Sequence, residues 1–136
     1  MKYNGVIQRK LALLDDQLVQ IEKHLHGVSL DEFRDSWLLC SMAERALQVT
    51  IEIVVDVAER IIALEGCGPV ESAAAAIDKL VALGVLPDAQ PYREMVKFRN
   101  LIVHEYERVE PDLLYTLATR RLDDFRNFRQ HIDRIG

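Results

Sequence analysis

From Trp37 to Leu64 the chain runs 28 residues without a proline or a glycine. One apolar stripe passes through Cys40, Ala43, Leu47, Val54, Val57, Ile61 and Leu64, and a second, beside it, through Leu39, Met42, Ala46, Val49 and Ile53. A helix that is apolar over so much of its circumference belongs in the centre of a domain, packed on several sides. The remaining residues must then supply its cover.

They do so as further helices. Ile7, Leu11, Leu14, Leu18, Ile21 and Leu25 recur at alternating steps of four and three, the seam of a long amphipathic helix that Gly27 stops. Ser29-Leu30-Asp31-Glu32 has the pattern of a capping box and opens a short helical turn to about Asp35. Gly66-Cys67-Gly68-Pro69 ends the central helix, and a shorter helix follows over Glu71 to Leu83 with Gly84 as its cap. Pro91 suits the first turn of the next, which carries Met95, Val96, Arg99, Ile102 and Val103 on one face and runs out near Tyr106. Pro111 opens a last helix with a stripe through Leu114, Ala118, Leu122, Phe125, Phe128, Ile132 and Ile135. No sustained alternation of apolar and polar residues with hairpin turns occurs, which argues against a sheet. The expected fold is all-α: an antiparallel bundle of about five helices, one domain over residues 1–136.

Composition narrows the function classes. With 49% apolar and 29% charged residues the chain matches neither a disordered nor a membrane protein. No apolar run reaches membrane-spanning length, and Met1 to Lys10 lacks the layout of a signal peptide, so the expected location is the cytoplasm. Cys40 and Cys67, the two cysteines, have no metal-ligand spacing and read as a core and a loop residue. The few glycines do not form a phosphate loop. A net charge of -5 argues against indiscriminate nucleic-acid binding. That average hides an asymmetry: residues 1–92 carry 8 Lys+Arg against 14 Asp+Glu, whereas residues 93–136 carry 9 against 8. An anionic substrate is expected at the C-terminal third.

There, Lys97 to Glu107 holds a compact polar set: Arg99, Asn100, His104 and Tyr106. On a helix the neighbours of Arg99 are Met95, Val96, Ile102 and Val103, so its guanidinium rises from an apolar stripe and needs a partner. Either a carboxylate from another helix or an anionic ligand would satisfy it. Glu44, Gln48, Glu52 and Asp56 form a polar ridge at steps of four along the central helix, and Glu52, flanked by apolar residues, is the expected counterion. Asn100 and His104 are one turn apart on an adjoining face. An imidazole that titrates near neutrality and a cation able to stabilise phosphate charge suit metal-independent cleavage of RNA by its own 2′-hydroxyl, with a cyclic phosphate as product. Neither metal nor cofactor is expected. His24, His26 and His131 read as surface residues, Trp37 as a core or dimer contact, and the arginines of the last helix as partners of Asp123, Asp124 and Asp133.

Arg99 to Tyr106, R-N-L-I-V-H-E-Y, resembles the R-x4-H-x-Y motif of the HepT-type HEPN domains, the toxin half of prokaryotic toxin-antitoxin pairs. The similarity extends to Met95–Phe98 and to the run from Ala43 to Glu52. It implies a homodimer in which two such motifs line a shared cleft and cut RNA without a metal ion. Arg99 would then stabilise the phosphate and His104 act as acid and base; Asn100 and Glu52 are the supporting residues that the chemistry of the set itself suggests. Tyr106 would be the acceptor of AMP from a small nucleotidyltransferase antitoxin of the MntA type, a modification that silences the toxin. A helical binding module without catalysis, docking such a nucleotidyltransferase, is the alternative, and the acidic net charge favours it.

Overall fold

The computed structural model describes residues 5–104 and 109–135, apart from the side chain of His104. Seven helices account for most of these residues: α1 (Gly5–Leu25), α2 (Leu30–Asp35), α3 (Trp37–Leu64), α4 (Ala73–Ala82), α5 (Gln90–His104), α6 (Pro111–Arg120) and α7 (Leu122–Ile135). The all-α architecture is as expected, with more pieces than about five.

The central helix is α3, which packs against α1, α2, α4, α5 and α6. Its middle is buried on nearly every side, from Ile51 through Ile53, Val54, Val55, Val57 and Ala58 to Ile61 and Ile62. Even Thr50 is fully buried there, its hydroxyl donating to the Ala46 carbonyl at 2.6 Å so that no polar atom is stranded. Along α1 the seam is buried at every expected position, Ile7 to Leu25.

Local signals explain the joints. Gly27 takes a φ of 74° after α1, a left-handed conformation a side chain would strain. Ser29 and Glu32 form the capping box in full. Phe33 is buried against Tyr115 with ring centroids 5.4 Å apart, and the Tyr115 hydroxyl donates to the Val28 carbonyl at 2.6 Å, which fixes α6 over the turn after α1.

Several sequence-based expectations are corrected. The last helix is two, broken at Arg121 (φ -116°, ψ 11°) although neither proline nor glycine marks the place. Asp123 and Asp124 in the first turn of α7 complement its free N–H groups and dipole, and Arg121 bonds Asp124 on α7 and Glu94 on α5. The shorter helix begins at Ala73 rather than Glu71, because the Ser72 side chain caps it by accepting from the Ala75 N–H. Trp37 is not core: it stands 69% exposed at the start of α3, and Leu64, Val103 and Ile135, counted among the stripes, are also exposed.

Candidate active site

The helix that carries the polar set is α5. Asp88 accepts from the Gln90 N–H at 3.1 Å and so starts the helix, with Pro91 in its first turn. Tyr92, Met95, Val96 and Phe98 are buried on its inner face. Arg93 grips Asp78 of α4 through two bonds, at 2.9 and 2.6 Å, and holds the Asp78 carboxyl below its ordinary range. Rotation of α5 about its axis is thereby fixed before the chain reaches Arg99.

Arg99 lies at the border between this inner face and the surface. Its Nη1 donates to Glu52 Oε1 on α3 at 3.1 Å, the pairing expected from the apolar neighbours of Arg99. The arginine side chain is 21% exposed and the glutamate 47%, so Glu52 is more open than its flanking residues implied. The Nε of Arg99 is buried without a hydrogen-bond partner. Only one bond is recorded for this guanidinium among the described residues. Beside it opens a groove of about 490 Å³ between α3 and the start of α4, lined by Glu52, Asp56, Glu59, Glu71 and Ser72 as well as Arg99. Asp56 is already engaged, by Lys10 at 2.5 Å and Arg60 at 3.2 Å.

The other members of the set are placed less fully. Asn100 follows Arg99 and is exposed. His104 is the last residue of α5, but its side chain is outside the described residues, as is Tyr106 entirely. The expectation that α5 runs out near Tyr106 falls there too. Two other tyrosines are committed to the scaffold: Tyr115 to Val28, and Tyr92, packed edge-on to Phe128, with a phenol pushed up to about 12 by burial first and by Asp124 and Asp88 next. Among the described residues, no three His, Cys, Asp or Glu side chains converge to hold a metal ion.

Sequence reasoning found the pair but missed the groove. Glu59 is seven residues after Glu52, two helical turns along the same face, and that spacing was the available signal. Glu71 is brought in by the turn after α3, which no periodicity announces.

Residues 14–132 match the family model described as Ribonuclease HepT-like. The chain belongs to the HepT-like ribonuclease family. No curated protein matches the sequence. Among solved structures, a tri-AMPylated Shewanella oneidensis HEPN toxin in complex with MNT antitoxin superposes with a TM-score of 0.87 at 23% identity, over 96% of this chain and 98% of that one. A toxin-antitoxin crystallised with AMP-PNP gives the same figures: TM-score 0.87, 23% identity, 96% and 98% coverage. YutE from Bacillus subtilis, a cytosolic protein of unknown function, superposes at 0.80 with 18% identity, over 96% of this chain and 88% of that one. At such identities the likeness establishes a shared HEPN fold. No helix of the HepT-like chain among the described residues is long and apolar enough to cross a membrane.

Proposed function

We propose that this chain is the toxin of a toxin-antitoxin pair, an endoribonuclease that needs no metal ion and is silenced by transfer of AMP to Tyr106. What carries the reading is Arg99: a largely buried cation held by a single bond beside an open groove, in a chain whose family model spans the whole R-x4-H-x-Y run. Attack of the substrate's 2′-oxygen forms a new bond to phosphorus and breaks the bond to the 5′-oxygen. His104 takes the 2′-hydroxyl proton or delivers one to the leaving 5′-oxygen, and Arg99 faces the charge that grows on the phosphate. The role of Asn100 in this reading is to donate to a phosphate oxygen or to orient the imidazole. Two protons move, and each chain has one motif histidine; a homodimer with both motifs on one cleft supplies both.

The AMP switch is supported by the modified HEPN toxin bound to its MNT antitoxin. A nucleotide on Tyr106, two residues from His104, would add bulk and negative charge where RNA phosphate has to sit. Purified protein is expected to cut single-stranded RNA in excess EDTA, and His104→Ala to abolish cutting without changing the melting temperature. Loss of cleavage in EDTA, or normal cleavage by His104→Ala, would sink the ribonuclease reading. Intact mass after incubation with the partner nucleotidyltransferase and ATP should rise by discrete AMP increments, absent in Tyr106→Phe.

One observation favours a second reading, a docking module without catalysis. The wall beside Arg99 is acidic, with Glu52, Asp56, Glu59 and Glu71 along it, and the net charge is -5. RNA cleavage by the free protein separates the two.

A further inference from the structure

We propose that Glu52 is the positioning residue of the site, the group that orients the Arg99 guanidinium for a phosphate; this rests on reading Arg99 as the phosphate-binding cation. Arginine has a planar fork of N–H donors, and phosphate recognition uses two of them side by side. With Nη1 bonded to Glu52 and Nε enclosed by the protein, the guanidinium is held at one corner, and among the described residues Nη2 is the nitrogen left to meet a phosphate. A long side chain held at no point samples many rotamers, and rate is lost when a transition-state donor has to be found rather than met.

Among the described residues, nothing else beside the groove performs this task. Asp56, one turn along α3, is taken by Lys10 and Arg60. Glu59 and Glu71 line the groove, but no bond from either to Arg99 is recorded. Stability alone does not account for the pair, since Glu52 is about half exposed and an open, singly bonded ion pair contributes little. Its geometric effect is larger: the bond ties the outer part of α5 to the central helix at the residue where the chemistry begins.

The bond and the charge of Glu52 are separable. Glutamine at 52 keeps an acceptor oxygen for Nη1 and loses the negative charge; alanine loses both. In Glu52→Ala kcat for RNA cleavage should fall about 10- to 100-fold while KM does not rise. Glu52→Gln should recover kcat to within about threefold of the wild-type protein, with KM equal or lower. The direct readout is the Arg99 Nε–H resonance in ¹H–¹⁵N spectra, assigned by its absence in Arg99→Lys. It should be sharp and slow to exchange with water in the wild-type protein and in Glu52→Gln, and broadened or lost in Glu52→Ala. An unchanged Nε–H signal in Glu52→Ala, or equal kcat in the alanine and glutamine variants, overturns the proposal. If the wild-type protein does not cut RNA, the ribonuclease reading fails, and the spectra still decide whether Glu52 holds Arg99.

Discussion

Arg129, on α7, bonds Asp15 of α1 at 2.5 Å and Asp133 of its own helix at 3.2 Å, whereas Arg99, on α5, bonds Glu52 at 3.1 Å and has a buried Nε with no partner. The contrast extends to two further arginines of the C-terminal segment. Arg126 meets both Glu22 and Asp123, and Arg121 meets both Glu94 and Asp124. Arg121, Arg126 and Arg129 are thus each matched by two carboxylates. Among the described residues one carboxylate, Glu52, faces Arg99 and takes one of its N–H donors. An arginine held between two carboxylates serves the scaffold; one held by a single carboxylate beside a groove can bind an anion.

The largest test of this difference removes the proton carrier. His104→Ala should lower kcat for RNA cleavage by about 10²- to 10⁴-fold, the range for loss of a general acid or base, measured with a fluorogenic RNA at saturating concentration. Next comes Arg99→Lys, expected to cost about 10²-fold in kcat, because a point charge replaces a planar fork. The matching substitution on the scaffold side, Arg129→Lys, should leave kcat and KM within about twofold and lower stability by no more than about 1 kcal/mol in urea titration. Should Arg129→Lys impair cleavage as much as Arg99→Lys, the division between the two regions breaks down.

The smallest effect concerns pH. Asp112 of α6 accepts two bonds from Arg34 of α2, at 2.7 and 2.6 Å, and these hold its carboxyl below the ordinary value of 3.8. A lowered pKa in the folded state means that the pair stabilises the protein above that ordinary value and stops doing so as pH falls through the folded one. Asp112→Asn should therefore melt slightly below the wild-type protein at pH near 7, and the gap should close below about pH 4. A gap that widens on acidification would reverse the assignment.

Much of the fold was legible because the burial pattern is regular. The steps of four and three along α1 named six residues, Ile7 to Leu25, and all six are buried. Ser29 and Glu32 cap α2 as their spacing required, since a capping box is a contact three residues long and needs no tertiary knowledge. Glu52 was found from the cost of burying Arg99, an argument that works at any separation in sequence. The break at Arg121 was not legible, because Leu114, Ala118 and Leu122 keep helical spacing straight through it and the cause is tertiary: Arg121 is bonded to Glu94 of α5. Of the two readings of Trp37, core or dimer contact, its exposure removes the first, for a related reason. Hydrophobicity predicts burial, and yet a helix's first residue can lie beyond the elements that cover its middle.

Glu52 and Arg99 are 47 residues apart, with all of α4 between them. A chain that emerges from its N-terminus finishes the central helix, carboxylate included, long before the arginine exists. The Arg93–Asp78 bonds link α4 to the helix that carries the cation. A piece of the chain that stops before residue 99 therefore carries the carboxylate without the cation it is paired with.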